Sequence, residues 1–399
     1  MSTHLLESAW ETLAAEAIRR RSTTEKYYDR YLYPIIKEKL QSNSPSIIIM
    51  AGLRGIGKTT LLLHLSTAYE KSLFFSLDHQ LFTTIRLYDF IKYLVEIKGL
   101  TYFFIDETHN YSAWASELKA LHDWNAELHF VISGSSALGL SRPDRRARFY
   151  FLSPLSFKEY LSYTHQKIPE AIEWRNSKQS MEMVVKYHLE QHFETYLLGG
   201  GFLSSLNLSA DDFCATYYEA IRKTLVEDAV SYGKMNKEKI NDLEKIITFL
   251  ALSSPGELSY TSLSSSLGIG KGTTIELVNI LRQMQLIRIL TPHPSSTAVI
   301  RKQPKMLFYH PNLRSVVCSK LGVKANRGAI REEYVVFHLT LAGYNVHTIK
   351  GEKRSPDYFI EKETKKDFIE IGGLNKGRSQ LSNGGIVVKG YNLIATGLV

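Results

Sequence analysis

Short apolar runs recur through the first third of the chain, and each ends on polar or glycine-rich residues. Ile47–Met50, Leu73–Leu77, Thr101–Ile105 and Leu128–Ile132 are four of them. Runs of this length, rich in β-branched and aromatic residues, read as strands buried on both faces. Between the first two, Leu61, Leu62, Leu63 and Leu65 are spaced to suit a buried helix face, and Thr84–Glu96 predicts a second helix. Strand and helix in alternation predict an α/β fold on a parallel sheet. Residues 155–235 read as helical and rich in aromatics, interrupted by Gly199, Gly200 and Gly201. Those glycines are either a helix stop or a place where backbone approaches the ligand.

Further along, the pattern changes. A helix through Ile246–Leu252 stops at Ser254-Pro255-Gly256, a short helix covers Thr261–Leu267, and Gly268-Ile269-Gly270 turns the chain. Thr273 and Glu276 have capping-box spacing for a helix that includes Ile275, Val278, Ile280 and Leu281. Leu286–Leu290 predicts a strand, Thr291–Thr297 a loop and Ala298–Ile300 a returning strand. That order is the grammar of a winged helix. A helix from Gly328 to Ala342 follows, then strands at Asn345–Ile349, Asp357–Ile360, Phe368–Ile371 and Ile386–Val388.

With 399 residues, two or three domains are expected. No apolar run approaches the ~18 residues of a membrane span, so no membrane partner is expected. The first residues lack the basic start and apolar core of a secretion signal. Two cysteines, Cys214 and Cys318, have no zinc or disulfide spacing and read as core thiols, which fits a cytoplasmic protein. The net charge of +9 permits polyanion binding without requiring it. Its distribution is more telling: Arg142, Arg145, Arg146 and Arg148 crowd together, and Thr261–Lys305 holds six Lys/Arg against Glu276 alone.

The chemistry concentrates after the first strand, where Ile47–Met50 runs into Gly52-Leu53-Arg54-Gly55-Ile56-Gly57-Lys58-Thr59-Thr60. Glycines let successive N–H groups turn onto phosphate oxygens, and the following helix adds its positive end. In this pattern Lys58 reaches the β- and γ-phosphates and the Thr59 hydroxyl ligates Mg²⁺. Asp106-Glu107 ends the Thr101–Ile105 strand. In a triphosphatase the first acid holds Mg²⁺ through water and the second aims at the attacking water. The other reading is a helix cap. Ser133 and Ser135 close the fourth strand, as γ-phosphate sensors or as turn hydroxyls. An arginine finger is expected from the cluster, with Arg146 chosen over Arg145 and Arg148 and the alternative a solvated basic loop. No guanine-reading Asn-Lys-x-Asp follows, so the expected cofactors are ATP and Mg²⁺.

AGLRGIGKTTLL, YFFIDETH with Trp114 and Leu118-Lys119 after it, VISGSSA and SPLSFKEYL together resemble one family. It is the AAA-type ATPases of bacteria and archaea that carry a C-terminal restriction-nuclease-like domain, sometimes called archaeal-type ATPases. Gly199–Phe202 is similar to that family's Gly-Gly-Phe-Pro element, with Leu203 in place of proline. The resemblance spans nearly the whole chain, and Pro154–Tyr160 is its most distinctive part. It implies the roles given above for Lys58, Thr59, Asp106 and Glu107, and an arginine equivalent to Arg146, although Arg145 stands where that arginine is usually preceded by glycine.

The resemblance also implies that Glu332, Asp357 and Glu370 fall where metal-binding carboxylates sit in the nuclease-like domain. Active members place a lysine two residues after the second acid, where this chain has Gly372, and Lys376 is the nearest substitute. A degenerate domain, structural or binding-only, is therefore favoured over a cleaving one.

The expected organisation is an N-terminal helical segment (1–29), an ATPase core (30–160), a helical lid (161–236), a winged helix (237–324) and the nuclease-like domain (325–399). Lys271, Thr274, Asn279 and Arg282, with Gln283, are the candidates for nucleic-acid contact. The expected function is Mg²⁺-dependent ATP hydrolysis coupled to DNA or a protein partner, homo-oligomers included. The alternatives are a nucleotide-gated switch with slow turnover or an ATP-linked nuclease.

Overall fold

The computed structural model describes residues 3–24, 30–42, 47–134, 147–164, 174–228, 235–254, 259–293, 304–349, 356–373 and 385–398. The chain forms two compact units, Met1–Ser153 and Pro154–Val399.

In the first unit α1 (Thr3–Thr24) and α2 (Leu32–Gln41) precede β1 (Ile47–Ala51). There follow α3 (Lys58–Thr67), β2 (Ser72–Ser76), α4 (Leu87–Lys98), β3 (Tyr102–Asp106), α5 (Trp114–Trp124), β4 (His129–Gly134) and β5 (Arg148–Phe151). The five strands are parallel, in the order β2-β3-β4-β1-β5. This is the α/β fold of P-loop nucleoside triphosphatases. Every residue of β1 is buried, as its unbroken apolar run predicts. The four expected strands form within a residue or two of their expected bounds. The fifth was not foreseen: Arg-Phe-Tyr-Phe sits at the sheet edge with none of its residues fully buried, so it lacks the apolar signature. The helix expected at Thr84–Glu96 begins only at Leu87. Glu117 of α5 accepts from the Tyr88 amide at 2.8 Å, capping α4 from outside its own sequence. The N-terminal segment, expected apart, belongs to this unit: Leu6, Ala9, Leu13 and Ala17 bury one face of α1. Arg21 donates to Ser66 Oγ at 3.1 Å and Ser72 Oγ at 2.9 Å.

The second unit runs through α6 (Phe157–Tyr163), α7 (Ser177–Lys186), α8 (Leu189–Thr195), α9 (Ala210–Lys223), α10 (Lys237–Leu252), α11 (Tyr260–Leu267) and α12 (Lys271–Gln283). It continues with β6 (Ile287–Leu290), β7 (Lys305–Phe308), α13 (Pro311–Lys320), α14 (Arg327–Leu341), β8 (Asn345–Thr348), β9 (Tyr358–Lys362), β10 (Lys365–Ile371), β11 (Ile386–Val388) and α15 (Gly390–Ala395). β6 and β7 pair antiparallel, Ile287 opposite Phe308. The returning strand is thus Lys305–Phe308; the expected one, Ala298–Ile300, lies outside the described residues. The last four strands form a sheet ordered β11-β10-β9-β8. One hydrophobic core takes in Phe157, Tyr196, Leu290, Leu307, Tyr334, Ile369 and Leu398. The three segments expected after residue 160 therefore share their packing.

The Thr273/Glu276 capping box does not form. α12 starts three residues earlier, after Gly270, and Glu276 instead pairs with Lys239 at 2.8 Å. Gly199 and Gly200 sit inside a buried π-helical turn, Tyr196–Gly200, that ends at Gly201. The helix does stop there, but packing is what demands glycine: a Cβ on Gly201 would collide with His310 and Asn312, and one on Gly200 with Tyr160. Both cysteines are buried, as expected.

A polar network runs through this core. Tyr196 Oη donates to the Leu155 carbonyl at 2.7 Å and contacts His310 Nε2 at 2.8 Å. His338 Nε2 accepts from the Phe157 amide at 3.0 Å while its Nδ1 meets the Tyr334 carbonyl at 2.8 Å. Burial holds His338 down to about 3 and His310 well below its ordinary value, so both rings are neutral. Arg314 forks onto Glu333 at 2.7–3.1 Å and donates to the Leu250 and Ala251 carbonyls at 2.9 Å, closing the end of α10.

Candidate nucleotide site

Three strand ends and one loop build the site. β4 lies between β1 and β3, with Met50 opposite Ser133. The carboxyl edge of a parallel sheet is where ligands of such folds sit. Gly57 adopts φ +94°, open to glycine, and starts α3 at Lys58. The Lys58 ammonium is buried and folded onto its own loop, donating to the Gly52 carbonyl at 3.0 Å and the Leu53 carbonyl at 2.8 Å.

Asp106, 3% exposed, is the hub. Thr59 Oγ1 donates to its Oδ2 at 2.6 Å, and Ser133 Oγ donates to its Oδ1. Two neutral hydroxyls therefore hold the carboxylate, and no cation is bonded to it among the described residues. Such a donor set fits a hard divalent cation: a hydroxyl and a carboxylate oxygen already side by side beside a phosphate-binding loop. Glu107 follows at φ +51°, a left-handed conformation uncommon outside glycine. Burial raises its carboxyl pKa, the neighbouring Asp106 raises it further, and Lys58 and Arg54 pull the other way. Glu107 Oε2 also lies 3.2 Å from His109 Nδ1. The helix-cap alternative does not hold, because Glu107 makes no side-chain cap to the 3₁₀ turn Thr108–Asn110 that follows.

The sequence-predicted residues of the loop, Gly52 to Thr60, and Asp106, Glu107 and Ser133 thus come together. Ser135, Arg142, Arg145 and Arg146 lie outside the described residues. Arg148 is exposed on edge strand β5, one strand away from β4. Two residues were missed. Thr108, fully buried, donates to the Ser133 carbonyl at 2.9 Å and ties β4 to the acid-bearing turn. Arg30, 2% exposed, donates to the Ile56 and Ser153 carbonyls, each at 2.6 Å. Threonine directly after the acid pair was a usable signal for the first; nothing in the sequence marks the second.

Residues 44–161 match the family model of an AAA domain. This stretch is an AAA-type P-loop domain. A second match, to a Domain of unknown function (DUF8612), covers residues 190–326. It ends before α14 and the sheet in which the nuclease-like site was expected. The chain is 29% identical over 398 residues to the uncharacterized protein MJ1637 of Methanocaldococcus jannaschii, covering 90% of this chain and 83% of that one. Among solved structures, AMPPCP-bound DnaA from Aquifex aeolicus overlaps 65% of this chain and 90% of its own, with 14% identity and a TM-score of 0.28. PCH-2 of C. elegans overlaps 63% and 70%, with 16% identity and a TM-score of 0.26. Overlaps this shallow say nothing of activity.

Two other sets of expected residues need correction. Thr274 is fully buried and bonds back to the Gly270 carbonyl at 3.1 Å, so it does not present itself to nucleic acid. The period of α12 turns it toward Leu277 and Val278, leaving Lys271 and Arg282 exposed and Asn279 and Gln283 partly so. Glu332 on α14, Asp357 ahead of β9 and Glu370 in β10 are not gathered into a metal site. Among the described residues no group of three or more His, Cys, Asp or Glu could hold a metal ion. Glu332 pairs with Lys305 at 2.6 Å and accepts from Tyr358 Oη at 2.9 Å. Asp357 Oδ2 accepts from the Ile371 amide at 2.8 Å, and Glu370 Oε2 accepts from the Asp357 amide at 3.1 Å. Asp357 and Glu370 thus clasp β9 to β10. Lys376 lies outside the described residues. The second unit also has a cleft of about 890 Å³ with Glu190 and Glu194 on its lining together with Arg327 and Arg331; no sequence-predicted site residue lines it. No helix of the described residues is long and apolar enough to cross a membrane.

Proposed function

We propose that this chain binds ATP with Mg²⁺ at the Gly52–Thr60 loop and hydrolyses it. The observation that carries the reading is the meeting of Thr59, Asp106 and Ser133 at one sheet edge, beside a loop that already holds Lys58. Loop amides and Lys58 take the phosphates; Thr59 and, through water, Asp106 hold the metal. Bound there, Mg²⁺ neutralises charge on the phosphates. Glu107 faces the same edge, and its raised pKa gives it a base strength suited to orienting and deprotonating water. Ser133 reads the state of the site through its bond to Asp106. An arginine from the 142–148 cluster of a neighbouring copy completes the transition-state charge, Arg146 being the choice made on sequence.

Coupling to DNA or a protein partner belongs to the same proposal. Residues 237–324 read as a winged helix because α10, α11 and α12 lead into the antiparallel pair β6–β7. Lys271 and Arg282, exposed on α12, suit phosphate contact.

The test is calorimetry of ATP and Mg²⁺ binding together with steady-state phosphate release, for the parent and for Lys58→Ala. Binding and release should both vanish in the variant. ATP uptake by the variant equal to that of the parent overturns the reading. Adding duplex DNA to the release assay decides the coupling: an unchanged rate removes DNA as the partner.

A further inference from the structure

Arg30 and Tyr31, ahead of α2, lie outside every motif the sequence displays, yet they engage the wall of the phosphate loop. Arg30 donates one guanidinium nitrogen to the Ile56 carbonyl and another to the Ser153 carbonyl, each at 2.6 Å. Tyr31 Oη donates to the Phe151 carbonyl and accepts from the Ser153 amide at 3.3 Å. Phe151 and Ser153 flank Leu152, whose amide donates to the Ala51 carbonyl at 2.9 Å. On the loop side Gly52 lies so close to the Leu152 carbonyl that a Cβ there would collide with it. Two consecutive residues therefore hold both the start and the end of the Gly52–Gly57 loop against the end of β5.

The Ile56 contact matters most. In a trans peptide the carbonyl of one residue and the N–H of the next point in opposite directions. Fixing the Ile56 carbonyl on Arg30 therefore fixes the Gly57 N–H facing away from Arg30. Glycine at φ +94° places little restraint of its own on that peptide plane. Without the guanidinium the plane is free to turn its oxygen toward the site, presenting a lone pair to an anion where a donor is needed. Only arginine offers a planar fork that can take two main-chain carbonyls at once; lysine is a single point charge.

We propose that Arg30 is a positioning residue for polyphosphate binding: it locks the Ile56–Gly57 peptide with its amide presented to the anion. The proposal rests on the nucleotide reading above and deepens it. Arg30 is 2% exposed with its donors turned to main chain, so it acts through Gly57 rather than by touching the nucleotide.

The experiment measures ADP and AMP binding by calorimetry to the full chain, for the parent, Arg30→Ala, Arg30→Lys and Lys58→Ala. ADP affinity should fall about tenfold or more in Arg30→Ala, as for loss of a charge-assisted hydrogen bond. AMP, which has no β-phosphate for the loop, should be nearly unaffected. Arg30→Lys should fall between, and it remains a fair test if the alanine variant does not fold. Low-millimolar guanidinium chloride should restore part of the ADP affinity of Arg30→Ala, whereas sodium chloride at equal concentration should not. A general loosening of the fold would weaken both nucleotides alike and show no such rescue; either result overturns the proposal. So does parental ADP binding by both Arg30 variants while Lys58→Ala loses it. If Lys58→Ala also binds as the parent does, the nucleotide site itself is misassigned.

Discussion

Each unit carries a set of carboxylates that the sequence marks for attention: Asp106 and Glu107 as metal and water ligands, and Glu332, Asp357 and Glu370 as the remnant of a degenerate nuclease-like site. Their partners separate them. Asp106 is held by the hydroxyls of Thr59 and Ser133, both neutral, one of them from the phosphate loop. Glu332 is matched with a lysine, and Asp357 and Glu370 with main-chain amides. A carboxylate that pairs with a lysine or accepts from an amide of the neighbouring strand already does structural work. One held by hydroxyls that themselves can ligate a metal keeps its charge for a ligand. The lesson is that acids at strand ends are common, and their bonding partners decide what they do.

That comparison predicts that changes in the first unit alter chemistry and changes in the second alter stability. The largest effect should come from Glu107→Gln, which should lower phosphate release by about 10²–10⁴-fold with ATP binding retained. Glu332→Gln and Asp357→Asn should leave the rate as it is. The acid limb of the rate profile should also be displaced upward from that of an ordinary glutamate, because Glu107 loses activity as pH falls through its raised pKa. A Glu107→Gln enzyme that turns over like the parent breaks the comparison at its root.

In the second unit Arg314→Met should cost about 3–5 kcal/mol in a denaturant titration, since it leaves the buried Glu333 carboxylate and the end of α10 without their donor. Acid should act in the same region. His338 titrates at about 3 in the fold against 6.5 when exposed, so below pH 6.5 the unfolded chain takes up a proton that the native chain refuses. Stability should be full above pH 6.5 and fall as pH drops toward 3, by at most on the order of 5 kcal/mol. Replacing His338 by Gln should flatten that slope. A slope equal to the parent's would show that the ring is not kept neutral by its burial.

The smallest effect should be that of Asp357→Asn, roughly 1–2 kcal/mol, from weakening the bond to the Ile371 amide. Loss of phosphate release in that variant, with stability kept, would return the C-terminal acids to the catalytic account.

Much of this was legible in local sequence. β1 and the phosphate loop are read from one contiguous stretch, because a strand, a glycine turn and a helix N-terminus need no distant partner to declare themselves. β5 was illegible because an edge strand needs no apolar face. Thr274 was misassigned for a related reason: the face of a helix that meets solvent depends on what packs against it, and Thr274 proved to be on the buried side. The capping box failed where Glu276 found Lys239, a partner 37 residues away.

By itself the sequence determined the polyphosphate-binding loop, the acid pair, the parallel α/β class and the helical order of the second unit. The loop and the acid pair are each written within about fifteen residues, and the other two in the succession of such short patterns, where periodicity and turn chemistry act. The tertiary structure alone decided that Ser133 and Thr59 share Asp106, that Arg30 braces the Ile56 carbonyl, and that the C-terminal acids meet a lysine, a tyrosine and strand amides. Those outcomes depend on strand order and on contacts across 13 to 47 residues of chain, and no local pattern specifies which distant donor a buried acceptor will meet.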